Sequence, residues 1–264
     1  MNIAVLVKAS IDLNMLRIDS SGRLLLDETP LAISEYDRNA VEEAVRIKEA
    51  KGGKVVALSV LTWGPAARKA GEAENVLREA LAMGADEAHL VVDESIIPGS
   101  VDTTAEVLKA MVEKLGPFDL VLCGESSQDV LSSQMAARLG EKLGYTVVTF
   151  ARKLEVLDGK IRATRDLEDA LEVVEAELPA VVSVTGEINE PRLPTLLQIR
   201  RSFAKPLKRY TLADLGLEGL KAKLPAREIS LVTVSRKNII LEAESLEEVA
   251  DQLIAKLMEE GVIR

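Results

Sequence analysis

Short apolar runs alternate with longer stretches of helical period along the first part of the chain. The runs at 2–8, 54–61, 87–92 and 119–123 are dense in Val, Leu and Ile, the pattern of strands buried on both faces. Between them, Val41, Ala44, Val45 and Ile47 mark one helix. Gly64-Pro65 opens a second that runs to about Met83, with Gly84 placed as its C-cap, and 102–115 forms a third. Strands alternating with helices of this length predict right-handed βαβ units and a parallel sheet, so the fold class is α/β. The polar stretch 11–28, with Ser20-Ser21-Gly22 at its middle, reads as a hairpin or long loop carrying Leu16/Ile18 and Leu24/Leu26.

Beyond Tyr145 the pattern changes. Residues 147–150, 154–157 and 161–164 read as strands joined by short turns, with Asp158-Gly159 as a hairpin signal, and 179–184 as another buried strand. Pro191 and Pro194 stiffen the loop that follows. Arg200, Arg201, Lys205, Lys208 and Arg209 make a basic run. Weak periodicity over 210–240 predicts an arm. A final helix opens with the capping box Ser245/Glu248 and aligns Leu246, Val249, Leu253 and Leu257 on one face. These breaks predict an α/β domain over 1–205 and a C-terminal arm and helix over 206–264.

The stretch from Phe118 to Gly144 organises the rest. An apolar strand ends at Cys123-Gly124, and the polar loop Glu125-Ser126-Ser127-Gln128-Asp129 follows. Leu131, Met135, Leu139 and Leu143 then recur at a step of four, one face of a helix. A strand feeding a glycine, hydroxyls and a helix start is how open α/β sheets build a nucleotide site beyond strand carboxyl ends. Helix capping by Ser126, Ser127 and Asp129 is the simpler account if composition alone is weighed.

Charge and composition narrow the partners. A net charge of −10 argues against nucleic acid or an anionic membrane as the main partner, and no apolar run reaches spanning length. The single cysteine, Cys123, leaves no disulfide framework and points to a reducing cytoplasm. The single histidine, His89, sits in a strand and reads as packed, so no metal site is expected. The phosphate-binding P-loop, the G-x-G-x-x-G fingerprint and the G-x-S-x-G elbow are absent. Pairs such as Glu42/Glu43 and Glu247/Glu248 read as solvated helix faces. No acid, base and nucleophile converge, so no catalytic residue is assigned.

Five segments resemble the beta subunit of electron transfer flavoproteins, including the FixA branch. They are NAVEEAVRIKE from Asn39, LREALAMGAD from Leu77, Cys123-Gly124 with Asp129 and Gln134, Arg165-Asp166-Leu167-Glu168-Asp169 followed by Glu172 and Pro179, and Ile188-Asn189-Glu190-Pro191-Arg192 with Thr195-Leu196. The resemblance implies an adenine nucleotide alpha hydrolase-like, Rossmann-type sheet. It also implies a partner alpha subunit carrying FAD and a second adenine nucleotide, AMP or FAD, in this chain. By motif position the nucleotide site takes Leu6, Ser34, Tyr36, Asp37 and Val60, then Gly124, Glu125, Ser126, Ser127, Gln128, Asp129, Val130, Leu131, Ser132, Ser133, Gln134 and Met135. A recognition loop over about 189–203 would present Leu196 to partner dehydrogenases; without the resemblance, Leu196 would fold back onto Val182 or Val184. Val130 and Leu131 stand where many members have Gly and Asp, Ser34-Glu35 where Asn-Pro is usual, and Ala170 where Gly is usual. AMP and FAD therefore both stay open. The competing classes are a nucleotide hydrolase or adenylating enzyme on the same sheet, which would need an activating lysine or a glycine-rich pyrophosphate loop, and an interaction scaffold with an empty pocket.

Overall fold

The computed structural model describes residues 1–222, 229–232 and 236–263. In chain order the strands and helices are β1 (Asn2–Leu6), β2 (Ala9–Ile11), β3 (Leu31–Ile33), α1 (Glu35–Lys51), β4 (Lys54–Val60), α2 (Ala66–Met83), β5 (Glu87–Val91), α3 (Val101–Leu115) and β6 (Leu120–Gly124). There follow α4 (Met135–Leu143), β7 (Thr146–Val156), β8 (Lys160–Asp166), β9 (Leu171–Glu177), β10 (Ala180–Val184), α5 (Leu196–Ser202), β11 (Leu207–Tyr210) and α6 (Leu246–Glu259).

Nine strands form one sheet in the order β11-β5-β4-β1-β6-β10-β7-β8-β9. Pairings from β11 to the first half of β7 are parallel, and β7-β8-β9 continues as an antiparallel meander. The fold is therefore α/β with a mostly parallel sheet, as the alternation predicts. Side chains leave the sheet with period two. Ile3, Val5, Val55, Ala57, Leu120 and Leu122 pack with α1 and α2, while Ala4, Leu6, Val56, Leu58, Val121 and Cys123 pack with α3 and α4.

Several elements differ from the expectation. The two strands at 147–150 and 154–157 are one long strand, β7, bent at Phe150, whose φ is 58° and whose N–H donates to Ser183 Oγ at 3.0 Å. The bulge lets one strand serve the parallel and antiparallel halves. Strand β9 was hidden because its apolar residues are broken by Glu172, Glu175 and Glu177 on an exposed edge. The Ile18–Leu24 bridge forms within the 11–28 stretch, inside a wider pairing of β2 with β3. Leu131 does not join the helical stripe: α4 begins four residues later, and Leu131 stands 65% exposed with φ 51°.

The chain divides into two compact units, Met1–Ile229 and Ser230–Arg264. Within the first, β11 extends the sheet past residue 205 and Leu212 is buried in the core. Parts of the expected arm, 223–228 and 233–235, lie outside the described residues. In the second unit, Ser245 Oγ accepts from the Glu248 N–H at 3.2 Å, half of the expected capping box, while the Glu248 carboxylate takes the Glu244 N–H at 3.2 Å in place of that of Ser245. Of the α6 stripe, Leu246 and Leu253 are exposed and Val249 and Leu257 are partly covered.

Helix α1 corrects one reading of its acids. Glu42 and Glu43 are not solvated; Glu42 is 2% exposed. Glu42 accepts from Arg192 Nε at 2.8 Å and from Arg46 Nε at 2.7 Å, and Arg192 also reaches Glu49 at 2.7 Å. Asn39 Nδ2 donates to the Asn189 carbonyl at 2.7 Å, while Asn189 Nδ2 donates back to the Asn39 carbonyl at 3.0 Å and to Glu43 Oε2 at 3.1 Å. The N-A-V-E-E helix is thus the seat onto which the segment 189–192 is locked.

Candidate functional site

Chain direction reverses between β1 and β6. From β1 the chain builds outward through β4 and β5, and from β6 it builds the other way to β7 and β10. Carboxyl ends of strands at such a reversal splay apart and leave a crevice. Here the crevice is an open cleft whose volume of about 760 Å³ takes in the solvent at its mouth. It lies on the α3/α4 side of the sheet, with Leu6, Leu58, Val60 and Cys123 as its apolar floor.

Most of the expected site residues line this cleft: Leu6, Asp37, Val60, Gly124, Glu125, Ser126, Ser127, Val130, Ser132, Ser133, Gln134 and Met135. Ser34, Tyr36, Gln128, Asp129 and Leu131 do not. Ser34 is the N-cap residue of α1, fully buried, with a hydroxyl that makes no cap bond. Tyr36 packs on Gly124, where a Cβ would come within 2.6 Å of the tyrosine Cβ and 2.8 Å of Asp37 Oδ1. Glycine is therefore required for α1 to approach the end of β6.

Two carboxylates hold the cleft's rim. Asp37 Oδ2 accepts from the Lys8 N–H at 2.8 Å and Oδ1 from the Gly124 N–H at 3.2 Å, tying the ends of β1 and β6 together. Burial pushes its carboxyl up to about 7 against those two donors and the nearby Lys8 charge. Asp129 lies beneath the loop. It accepts from Lys8 Nζ at 2.6 Å, Trp63 Nε1 at 2.6 Å and the Ile11 N–H at 3.2 Å. Burial alone would raise this carboxyl, but the Lys8 ammonium and its hydrogen bonds hold it below the usual range. Lys8 Nζ also donates to Ser127 Oγ at 3.1 Å, so the basic residue of the cleft is occupied in positioning the loop. Burial, with Glu187 and Asp166 nearby, raises Glu125. Burial also pushes the Cys123 thiol up, which leaves it unreactive.

The loop reaches α4 with Leu131 and Ser133 both in the left-handed region, each at φ 51°. Gln134 precedes the helix without a side-chain cap bond, so the first N–H groups of α4 open toward the cleft beside Ser132 and Ser133. The cleft also takes in residues not singled out from the sequence: Lys8, Ser59, Thr62 and the start of α3 at Gly99, Ser100, Val101 and Thr104. A signal existed for them. Lys8 and Thr62 follow strand ends already implicated by Leu6 and Val60, and Gly99-Ser100 precedes a helix. Ser59, Thr62 and Ser126 present buried hydroxyl oxygens with no protein partner. Ser10, Ser34 and Thr185, which do not line the cleft, share this property. Among the described residues there is no acidic, His or Cys cluster suited to a metal ion, and no helix long and apolar enough to cross a membrane.

On the far side of α1, Leu196 does not fold back onto β10. It opens α5 behind a capping box formed by Thr195 and Gln198 and is 86% exposed. Leu193, Leu197, Ile199 and Phe203 are exposed with it.

A mostly parallel sheet flanked by helices on both faces, with a cleft at its switch point, defines a Rossmann-like α/β domain. The chain matches the electron transfer flavoprotein domain over residues 23–215. It is 35% identical to electron transfer flavoprotein subunit beta of Thermoanaerobacterium thermosaccharolyticum and 33% to that of Bacillus subtilis, each over the whole of both chains. It is 32% identical, again over both full lengths, to the caffeyl-CoA reductase-Etf complex subunit CarD of Acetobacterium woodii. The chain belongs to the electron transfer flavoprotein beta-subunit family, whose role is electron transport.

Proposed function

We propose that the chain pairs with an alpha subunit carrying FAD, holds an adenine nucleotide in the β1/β6 cleft, and relays electrons between dehydrogenases and an acceptor. The observation that carries this reading is the use of Lys8. A hydrolase or adenylating enzyme needs a cation free to meet transferring phosphate. Lys8 instead neutralises Asp129 and fixes the loop, which supports a nucleotide held as a structural element. The nucleotide is bound by helix N–H groups and the hydroxyls of Ser126, Ser132 and Ser133. Leu196, on the exposed start of α5, is the anchor offered to partner dehydrogenases, and the α6 stripe packs on the alpha subunit. A reducing cytoplasm suits the buried free Cys123.

A second reading, in which the cleft holds FAD and the chain is an electron-bifurcating member, is favoured by the likeness to a subunit of a reductase-Etf complex. Native mass spectrometry of the chain co-expressed with a flavoprotein alpha partner tests both. The proposal expects a one-to-one complex with one adenine nucleotide beyond the alpha flavin. A bound mass of AMP supports the first reading and a second FAD the other. A complex without any nucleotide in this chain contradicts both.

A further inference from the structure

No residue of the LREALAMGAD segment, 77–86, lines the cleft. It closes α2, where Leu77 and Leu81 are fully buried in the core. Arg78, between them, reaches α5 instead. Its Nη1 donates to the Ser202 carbonyl at 2.6 Å and the Lys205 carbonyl at 2.9 Å, and its Cζ lies 5.5 Å from the centre of the Phe203 ring. Lys205 answers in the opposite direction. Its Nζ donates to the Leu81 carbonyl at 2.7 Å and the Ala85 carbonyl at 2.6 Å, at the end of α2. Each helix thus ends on carbonyls capped by a cation from the other.

Helix α5 needs such a tie. It has seven residues, and helices shorter than about 12–15 residues do not persist in water by themselves. Most helices are held by burying an apolar face. Here Ser202 is the buried residue, while Leu196, Leu197, Ile199 and the following Phe203 are exposed. What fixes α5 is polar. The Thr195/Gln198 capping box and the fork of Arg192 onto Glu42 and Glu49 hold its entry, and the exchange between Arg78 and Lys205 holds its exit. Without the exit tie the leucines stay, but the direction in which they point is no longer fixed.

Resting on the reading of α5 as the helix offered to partner dehydrogenases, we infer that Arg78 is a positioning residue for that docking. It acts through α5, by capping the helix and bracing Phe203, rather than on a partner or a nucleotide. The helix therefore meets the partner already ordered, and less of the interaction is lost to ordering it. Lys205 is the reciprocal tie that keeps the α5 exit within reach of Arg78.

Steady-state electron transfer tests this, with the two-chain complex as the varied substrate of a flavin-linked dehydrogenase that saturates with the native complex. Arg78→Met keeps an apolar stem but removes the donors. It should raise KM for the complex roughly tenfold, about the worth of one charge-assisted hydrogen bond, and leave kcat unchanged. Lys205→Met cuts the tie from the other side and should act in the same direction. Arg78→Lys returns a cation to the same carbonyls and should recover part of the loss. Adding Leu196→Ala to Arg78→Met should cost far less than the product of the two single effects, because Arg78 acts through where Leu196 stands. If Leu196→Ala alone raises KM, then an unchanged KM in Arg78→Met and Lys205→Met, or single effects that multiply, overturns the positioning role and leaves α5 as the recognition helix. If Leu196→Ala alone leaves KM unchanged, the reading of α5 falls and this inference with it.

Discussion

Asp37 shows how one side chain joins architecture to site. It sits in the first turn of α1, yet its two oxygens take the Lys8 and Gly124 N–H groups from the ends of β1 and β6. Burial holds its carboxyl up to about 7. A carboxyl raised in the folded state favours folding in its protonated form. That contribution is complete below the unfolded value near 4 and is lost as pH rises through about 7. Asp37→Asn keeps the shape and one acceptor but cannot titrate. Urea unfolding at about pH 5 and about pH 7.5 should therefore show the native chain losing on the order of 3 kcal/mol relative to the variant. The same stability difference at both pH values would mean that Asp37 stays ionised and the rim is held some other way. Gly124 makes the complementary point through absence, since a Cβ there meets Tyr36. Its place at the end of an apolar run was legible in the sequence. The reason was not, because Tyr36 lies far away in the chain.

At the level of elements, α1 and the segment leading into α5 act as seat and lever. Arg192 forks onto Glu42 and Glu49, and Glu42 is buried. Arg192→Met should leave Glu42 with Arg46 as its remaining cation and cost about 1–3 kcal/mol. Hydrogen exchange over 189–203 should quicken while strands β1 and β6 stay protected. Uniform loss of protection through the sheet would contradict a local anchor. Leu196→Ala tests the lever's tip. A rigid apolar anchor truncated at a partner pocket commonly costs ~2 kcal/mol, so the apparent dissociation constant for an acceptor dehydrogenase should rise roughly thirtyfold. Melting temperature and nucleotide content should not move, because the side chain is solvent-exposed. Normal electron transfer in that variant would remove Leu196 from recognition. The buried parallel strands and the long helices were readable from period alone. Strand β9, the short α5 and the burial of Glu42 and Glu43 were not. The two glutamates look solvated until the chain brings up distant partners, such as Arg192, 150 positions from Glu42.

For the whole molecule, the sheet's switch point decides where the cleft opens, and the sequence conveyed that more fully than it conveyed the cleft's hydrogen bonds. The strand ends at Leu6, Val60 and Gly124 converge as strand-end logic requires. Asp129, placed in the site by motif, instead works beneath it as the partner of Lys8 and Trp63, a role no spacing reveals. The α3 start was missed because a Gly-Ser before a helix is ordinary until another helix start opens beside it. The fold thus pre-forms a cleft lined by Lys8, Asp37 and Glu125 beside several hydroxyls, and under the proposed function an adenine nucleotide's phosphate rests at the start of α4. The most direct test is native mass spectrometry of the complex with its flavoprotein partner, comparing the native chain with Ser132→Glu/Ser133→Glu. Two carboxylates at that helix start repel a phosphate while leaving the buried core untouched. The expected result is an intact two-chain complex that has lost its nucleotide. Full nucleotide occupancy in the double variant would contradict it.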